Sequence, residues 1–313
     1  MDTMAVVLSE PEHVALTRVA LNDPGPEDIV VDIDWSGIST GTERLLWSGR
    51  MPPFPGMGYP LVPGYESVGR VIETGSQSPF KVGERVFVPG AHCFTDVRSL
   101  FGASARRLVV PAKRAVAVRE DLRENGILLA LAATAYHAMC APGAAPPDRI
   151  VGHGVLGRLL ARVAIATGAP PPVVWERNAK RREGAAGYQV CDPSEDMIRD
   201  HRAIYDVSGN AAVMDMLIGR LSRGGEIVLA GFYSEPVSFA FPPAFMREAR
   251  LRIAAEWQPS DLAAVKALID TRKLSLDGLI THSERATRAA LAYRTAFDDP
   301  NCLKMVLDWS ACA

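Results

Sequence analysis

Arg149-Ile150-Val151-Gly152-His153-Gly154-Val155-Leu156-Gly157, followed by Val173-Val174-Trp175-Glu176, is the stretch that decides the fold. A lone Gly-x-Gly-x-x-Gly pattern arises by chance, so its weight depends on a strand before it and a helix after it. Both are written here. Ile150 and Val151 are β-branched and lead into the glycines, while Leu156, Leu159, Leu160, Val163 and Ala164 recur at helical spacing. In such a strand, turn and helix, Gly152 permits the tight turn, Gly154 lets main chain approach a pyrophosphate, and Gly157 lets the helix pack closely on the strand. The helix N-terminus, with Val155 and Leu156, then faces the phosphates. His153 sits on the turn and is assigned no chemical step. The second apolar run ends in Glu176, a carboxylate placed to accept hydrogen bonds from the adenosine ribose and to repel a 2′-phosphate, so NAD is expected over NADP. Arg177 adjoins that position and is a further candidate cofactor contact. Arg177, Lys180, Arg181 and Arg182 would also suit a phosphate, but they read first as a solvated helix face.

The rest of the chain agrees with an enzyme of two domains. Its 313 residues suffice for two cores. A formal net charge of -2 gives no electrostatic case for nucleic acid or an anionic membrane. The five cysteines, Cys93, Cys140, Cys191, Cys302 and Cys312, are scattered and form no CxxC pair, which suggests a reducing compartment and argues against a disulfide framework. Asp2, Glu10 and Glu12 stand where a signal peptide would be basic and then apolar, and the apolar segment from Ile127 to Cys140 is too short to span a bilayer. No transmembrane segment and a cytoplasmic location are therefore expected.

The two halves differ in texture. Before about residue 115 short β-like runs, such as Ile29-Val30-Val31-Asp32-Ile33 and Ser67-Val68-Gly69-Arg70-Val71-Ile72, alternate with Gly and Pro turns. From about residue 122 helical patterns alternate with apolar runs, as in Ala203 to Val207, a helix expected from Ala211 to Leu221, and Gly224 to Gly231. That alternation is what a parallel sheet requires. Ser208 and Gly231, at the ends of two of these runs, join the candidate cofactor contacts.

A β-rich front followed by a dinucleotide domain resembles the medium-chain dehydrogenase/reductase superfamily along nearly the whole chain. Val62-Pro63-Gly64-Tyr65-Glu66 stands where that family writes Pro-Gly-His-Glu, and Lys81-Val82-Gly83-Glu84-Arg85-Val86 matches its turn before a strand. Ala133-Thr134-Ala135-Tyr136-His137-Ala138 matches the threonine-bearing helix, while Leu279-Ile280-Thr281-His282 and Lys304-Met305-Val306-Leu307 match its returning C-terminal segment. The resemblance implies an α/β protein with a GroES-like β-rich catalytic domain over 1–121, a Rossmann doubly wound domain over 122–272, and a segment over 273–313 that rejoins the first. It places Thr134 beside the nicotinamide.

Departures from the family pattern decide the expected mechanism. The three positions aligned with the family's catalytic zinc ligands are Thr40, Tyr65 and Ala130, and none is a good ligand for zinc, which takes thiolate, imidazole and carboxylate. No metal is expected. Thr42 stands where the family begins a proton relay. Thr40, Thr42 and Tyr65, with Ser39 and Glu66 to orient hydroxyls, form the candidate catalytic set. A tyrosine with its ordinary pKa of about 10 would need a cation or a preorganised network to act as a base near neutrality, and it is otherwise a filler of the metal's volume.

The run from Gly37 to Pro60, into Gly64-Tyr65-Glu66, resembles the dehydrogenases of bacteriochlorophyll a biosynthesis. These oxidise the ring-A 1-hydroxyethyl group of a (bacterio)chlorophyllide to acetyl with NAD. Trp47, Met51, Phe54, Met57 and Tyr59, threaded with Pro and Gly, would then wall a pocket for a flat substrate. A homodimer is expected by the same analogy. Two other readings stay open: a zinc-free NADPH-dependent quinone or enoyl reductase, and a tetrapyrrole-binding protein that kept the fold without turnover.

Overall fold

The structure, a computed structural model, describes residues 1–312. The chain forms two units, one of Met1–Ala130 with residues 279–312 and one of Leu131–Gly278.

The strand Asp28–Ile38 organises the first unit. Its Ile29, Val30, Val31 and Ile33 are buried, as expected of β-branched residues in a sheet covered on both sides. It pairs antiparallel with Ser67–Thr74, with Arg107–Pro111 and with the returning Met305–Asp308, inside a seven-stranded sheet. Register shifts at Val30/Val31 and Ile33/Trp35 bend this long strand. A four-stranded sheet that includes Asp2–Glu10 and Leu61–Val62 completes the unit. Val6, Leu8, Ile33, Val62, Leu307 and Trp309 share one core, so the C-terminal residues are part of its packing.

The second unit is a six-stranded parallel sheet ordered Gln189–Cys191, Val173–Trp175, Arg149–Val151, His201–Asp206, Leu221–Leu229, Arg250–Ile253. Counted along the chain, that order is 3-2-1-4-5-6, and it reverses between the first and fourth strands. In open α/β sheets ligands bind at the carboxyl ends beside such a reversal. The helix expected after the glycines runs over Val155–Ala166 and buries Val155, Leu159, Leu160, Val163 and Ala164. Among the described residues no helix is long and apolar enough to cross a membrane.

Two expected helices differ. Between Ala211 and Leu221 a turn over Ala211–Val213 precedes only a short helix, Met214–Ile218. The basic stretch after Glu176 is not a helix face. Only Ala179–Arg181 makes a single turn, started by the Asn178 side chain accepting from the Lys180 amide. Beyond it Arg158 takes the carbonyls of Arg181, Glu183 and Gly184, and Arg182 takes those of Glu176 and Arg177. Guanidinium groups have captured acceptors that a continuing helix would need.

A Cβ added at Gly157 would lie 1.9 Å from the Gly152 carbonyl oxygen. Gly157→Ala should therefore destabilise the protein by about 1–3 kcal/mol, the usual cost of forcing atoms into a packed contact. Denaturant unfolding of the purified variant checks this; an unchanged midpoint would mean that helix and strand are not held together at this contact.

Candidate active site and cofactor turn

The end of the strand Asp28–Ile38 delivers Ser39, and the helix Thr42–Trp47 delivers Thr42 and Glu43. The chain leaving Leu61–Val62 turns at Gly64, whose φ of 94° suits glycine, and delivers Tyr65 and Glu66. These elements bring Ser39, Thr42 and Tyr65 together. The Tyr65 hydroxyl lies 2.7 Å from Ser39 Oγ and 3.5 Å from Thr42 Oγ1. Thr40 is exposed, and Ala130 is buried. The Tyr65 ring stands edge-on to Phe101 at 5.3 Å between centroids, and Phe101 stands edge-on to Phe54 at 6.4 Å.

Burial raises the Tyr65 hydroxyl above its ordinary pKa, and the nearby Glu66 charge raises it further. The ring thus stays a neutral phenol across the physiological range. A cation does stand nearby, on the returning segment. Lys304 is 1% exposed and its Nζ lies 2.5 Å from Glu66 Oε2, while donating also to the Ile38 carbonyl at 3.2 Å. Its charge is matched by Glu66 and is not available to stabilise a tyrosinate. Glu66 is fully buried; burial pushes its carboxyl up and the Lys304 ammonium pulls it down. With Oε2 taken by Lys304 and Oε1 without a hydrogen-bond partner among the described residues, Glu66 makes no hydrogen bond to the Tyr65 hydroxyl and does not orient it directly. Gly37 makes room for the pair, since a Cβ there would lie 2.2 Å from Glu66 Oε2.

A second buried carboxyl was not singled out by the sequence. Glu43 Oε1 accepts from the Ser39 amide at 3.0 Å, and Oε2 accepts from the Tyr293 hydroxyl at 2.5 Å. Burial pushes Glu43 up to about 7, against the pull of those two hydrogen bonds. It fixes the main chain from which Ser39 reaches Tyr65.

Of the candidate pocket residues, Met51 is buried, and Trp47, Met57 and Tyr59 pack against the core of the first unit. Trp47 rests on Phe297 at 5.3 Å, and the Tyr59 hydroxyl donates to the Leu46 carbonyl. Phe54 is 38% exposed. Together with Phe101, which the sequence did not signal, it forms a line of rings reaching Tyr65.

The residues at the zinc-aligned positions do not fit that metal: an exposed threonine, a phenol and a methyl group. Among the described residues no three His, Cys, Asp or Glu side chains converge to hold one.

In the second unit the residues do fit a dinucleotide. Gly152 has φ 103° and Gly154 has open space where a Cβ would be, so main chain is accessible at the helix start. Ser208 approaches Gly152, and Gly231 lies against Gly209. Asp206, buried at the end of the fourth strand, supports this group by accepting from the Ser208 amide and the Tyr233 hydroxyl. Glu176 follows the second strand; its Oε2 accepts from the His153 amide at 3.0 Å and its Oε1 from the Asn178 amide at 2.8 Å. Thr134 is half-buried in the helix Leu129–Met139.

Comparison with known proteins agrees with this geometry. Residues 25–120 match the family model of the alcohol dehydrogenase GroES-like domain. The chain is 60% identical over 318 residues, covering all of both proteins, to 2-desacetyl-2-hydroxyethyl bacteriochlorophyllide A dehydrogenase of Cereibacter sphaeroides. It is 59% identical over 310 residues, covering 99% of each, to the protein of that name from Rhodobacter capsulatus. Among solved structures, a short chain alcohol dehydrogenase of Escherichia coli CFT073 complexed with NADH superposes with a TM-score of 0.84 at 20% identity, covering 98% of this chain and 99% of the other. That likeness shows the shared fold.

Because Glu43 titrates near 7 when folded and near 4.5 when exposed, the folded protein holds a proton there that the unfolded chain releases. Its contribution is fully present below about pH 4.5 and is lost as pH rises through 7. Glu43→Gln should remove this loss, flattening the fall in unfolding free energy between pH 4.5 and 7 by about 3 kcal/mol. Urea unfolding at several pH values measures it, and an unaltered slope would show that Glu43 is ionised throughout.

Proposed function

The chain belongs to the medium-chain dehydrogenase/reductase superfamily, in the family of the 2-desacetyl-2-hydroxyethyl bacteriochlorophyllide A dehydrogenases, and on that premise we propose that it oxidises the ring-A 1-hydroxyethyl group of a (bacterio)chlorophyllide to acetyl, with NAD as acceptor and without zinc. The observation that carries the substrate reading is the 60% identity across the whole length to a relative named for this activity. Glu176 beside the glycine turn supports NAD, because a carboxylate accepts from ribose hydroxyls and repels a 2′-phosphate. The residue types at the zinc-aligned positions, Thr40, Tyr65 and Ala130, support the metal-free reading, because none offers zinc a thiolate, imidazole or carboxylate.

Bound NAD supplies the hydride acceptor. Gly152, His153, Gly154, Val155, Leu156 and Gly157 would present the turn and helix start to its phosphates, with Glu176 and Arg177 at the ribose and Thr134, Ser208 and Gly231 further along the cofactor. Ser39 is buried and its hydroxyl has only Tyr65 as partner among the described residues. A buried O–H left without an acceptor is costly, so Ser39 donates to the Tyr65 oxygen. That leaves the Tyr65 proton for another acceptor, and the substrate oxygen is the one the reaction provides. Tyr65 therefore holds and orients the reacting C–O group as a donor. Thr42, at 3.5 Å from it and only partly buried, takes up the alcohol proton as it gives its own to bulk water, the final acceptor. The macrocycle conjugated to the carbinol carbon shares the positive charge that grows as hydride departs, so orientation supplies much of the catalysis. Phe54 and Phe101 offer ring faces and edges for a planar substrate.

We place the protein in the cytoplasm, in keeping with its free cysteines, and as a homodimer. The edge strand Arg250–Ile253 supports the dimer, because Leu251 and Ile253 are 41% and 75% exposed on it. Equilibrium sedimentation of the wild type and of Ile253→Lys checks the assembly, and a wild-type monomer would refute it.

Purified, chelator-washed protein should convert the 3-hydroxyethyl pigment to the 3-acetyl pigment with NAD, one reduced nicotinamide per acetyl group. Tyr65→Phe should lower kcat about a hundredfold, the usual loss when a fixed donor to an oxygen that gains charge is removed. Turnover that needs added zinc, activity only with NADPH on an activated double bond, or pigment binding without turnover would each refute the reading.

A further inference from the structure

The glycine turn is tied to the segment after Glu176 far more heavily than a phosphate-binding turn requires. His153 is fully buried between two of the glycines, and both of its ring nitrogens are used. Nδ1 lies 2.6 Å from the Arg181 carbonyl, which only an N–H can satisfy. In the neutral ring Nε2 is then an acceptor, and the Tyr188 hydroxyl lies 2.8 Å from it. Burial pushes the imidazole down to about 4, so this neutral tautomer persists at physiological pH. Tyr188 is itself 8% exposed and stands edge-on to the imidazole at 5.6 Å.

Arg158 closes the same contact from the helix. It is 7% exposed; its Nε donates to the His153 carbonyl at 3.1 Å, and its two Nη groups donate to the carbonyls of Gly184, Arg181 and Glu183. The His153 amide in turn holds Glu176 Oε2. One residue thus joins the phosphate turn, the ribose carboxylate and the segment over 181–188. Between Glu176 and that segment, Arg177 and Lys180 are exposed, and neither side chain has a hydrogen bond or ion pair among the described residues. They are cations within a few residues of a site that must refuse a 2′-phosphate.

We infer that His153, Arg158 and Tyr188 form a latch that sets cofactor choice: it fixes Glu176 toward the ribose and holds the chain bearing Arg177 and Lys180 so that neither cation closes on the 2′ position. Tyr188 acts through His153 and is a positioning residue. The inference rests on the reading of Glu176 as the ribose contact. Removing the Tyr188 hydroxyl leaves Nε2 a buried acceptor without a donor, which favours rearrangement of the segment. Glu176 then loses its fixed place, and the cations gain access to a 2′-phosphate.

The test is fluorescence titration of the full-length protein with NADH and with NADPH, which needs no pigment substrate. Tyr188→Phe should weaken NADH about fivefold while NADPH weakens less or tightens, so the preference for NADH falls at least about threefold. Its kcat at saturating NAD should match the wild type. Arg158→Lys should shift the preference in the same direction, and it carries the test alone if Tyr188→Phe does not fold. Glu176→Gln separates the two layers of the argument. If it moves the preference while Tyr188→Phe and Arg158→Lys leave it in place, or weaken both cofactors equally with a lower melting temperature, the latch is only structural and the inference fails. If Glu176→Gln itself leaves the preference unchanged, the ribose reading fails first.

Discussion

The buried ion pair between Glu66 and Lys304 is the constraint on which the rest of the first unit depends. Two charges, 0% and 1% exposed, meet at 2.5 Å across 238 positions of sequence. Desolvating them is expensive, and removing one partner of such a pair typically costs about 3–5 kcal/mol because the other is left buried and unmatched. The pair can therefore form only when the chain leaving Gly64, the end of the strand Asp28–Ile38 and the returning segment are all in place. Lys304 makes the third connection through the Ile38 carbonyl, one residue before Ser39. The same contact that commits the C-terminal strand to the sheet thus fixes both flanks of the hydroxyl site.

That arrangement also decides the chemistry open to Tyr65. A lysine close to a tyrosine suggests a lowered pKa and a phenolate base, but here the ammonium is matched by Glu66, and the charges of Glu66 and Glu43 together with burial act in the opposite direction. The site is a place for neutral hydroxyl groups, ordered by carboxyls that they do not all touch. Glu43 holds the Ser39 amide, Ser39 holds the Tyr65 oxygen, and Tyr65 is left with one proton to give. Fixed donors of this kind need no reorganisation when charge develops on a substrate oxygen, which is where preorganised hydrogen bonds contribute most.

Local and nonlocal parts of this picture were legible to very different degrees. The glycine turn, the helix Val155–Ala166 and Glu176 could be read directly because each depends on neighbours in sequence: β-branched residues before the turn, apolar spacing after it, a carboxylate ending the next strand. The association of Ser39, Thr42 and Tyr65 was reached through resemblance, and their hydrogen bonds are the structural form of that grouping. Glu43 and Lys304 gave no such signal. Glu43 sits among Arg44 and other helix formers as any solvated residue would, and only the Tyr293 hydroxyl, 250 positions away, explains its burial. Lys304 carried a faint hint, a cation leading straight into the apolar Met305-Val306-Leu307. The basic run after Glu176 misled for a physical reason. Its composition suits a helix, but Arg158, buried on the preceding helix, reaches across and takes the carbonyls that would have propagated one.

Both units solve the same problem, the placing of a reactive or selective polar group, by burying its support. In the first, a phenol is aimed by a serine, which is aimed by a carboxyl that is itself held at 0% exposure. In the second, the carboxylate of Glu176 beside the glycine turn is aimed by the amide of a histidine whose ring is saturated with hydrogen bonds and fully buried. Such chains of support are stiff because each member has only one way to satisfy its donors and acceptors. They are also brittle, since deleting a single hydroxyl frees a buried partner as well as itself. Where the positions nearest a reacting group are a threonine, a phenol and a methyl group, buried hydrogen bonds are what hold its hydroxyls in place.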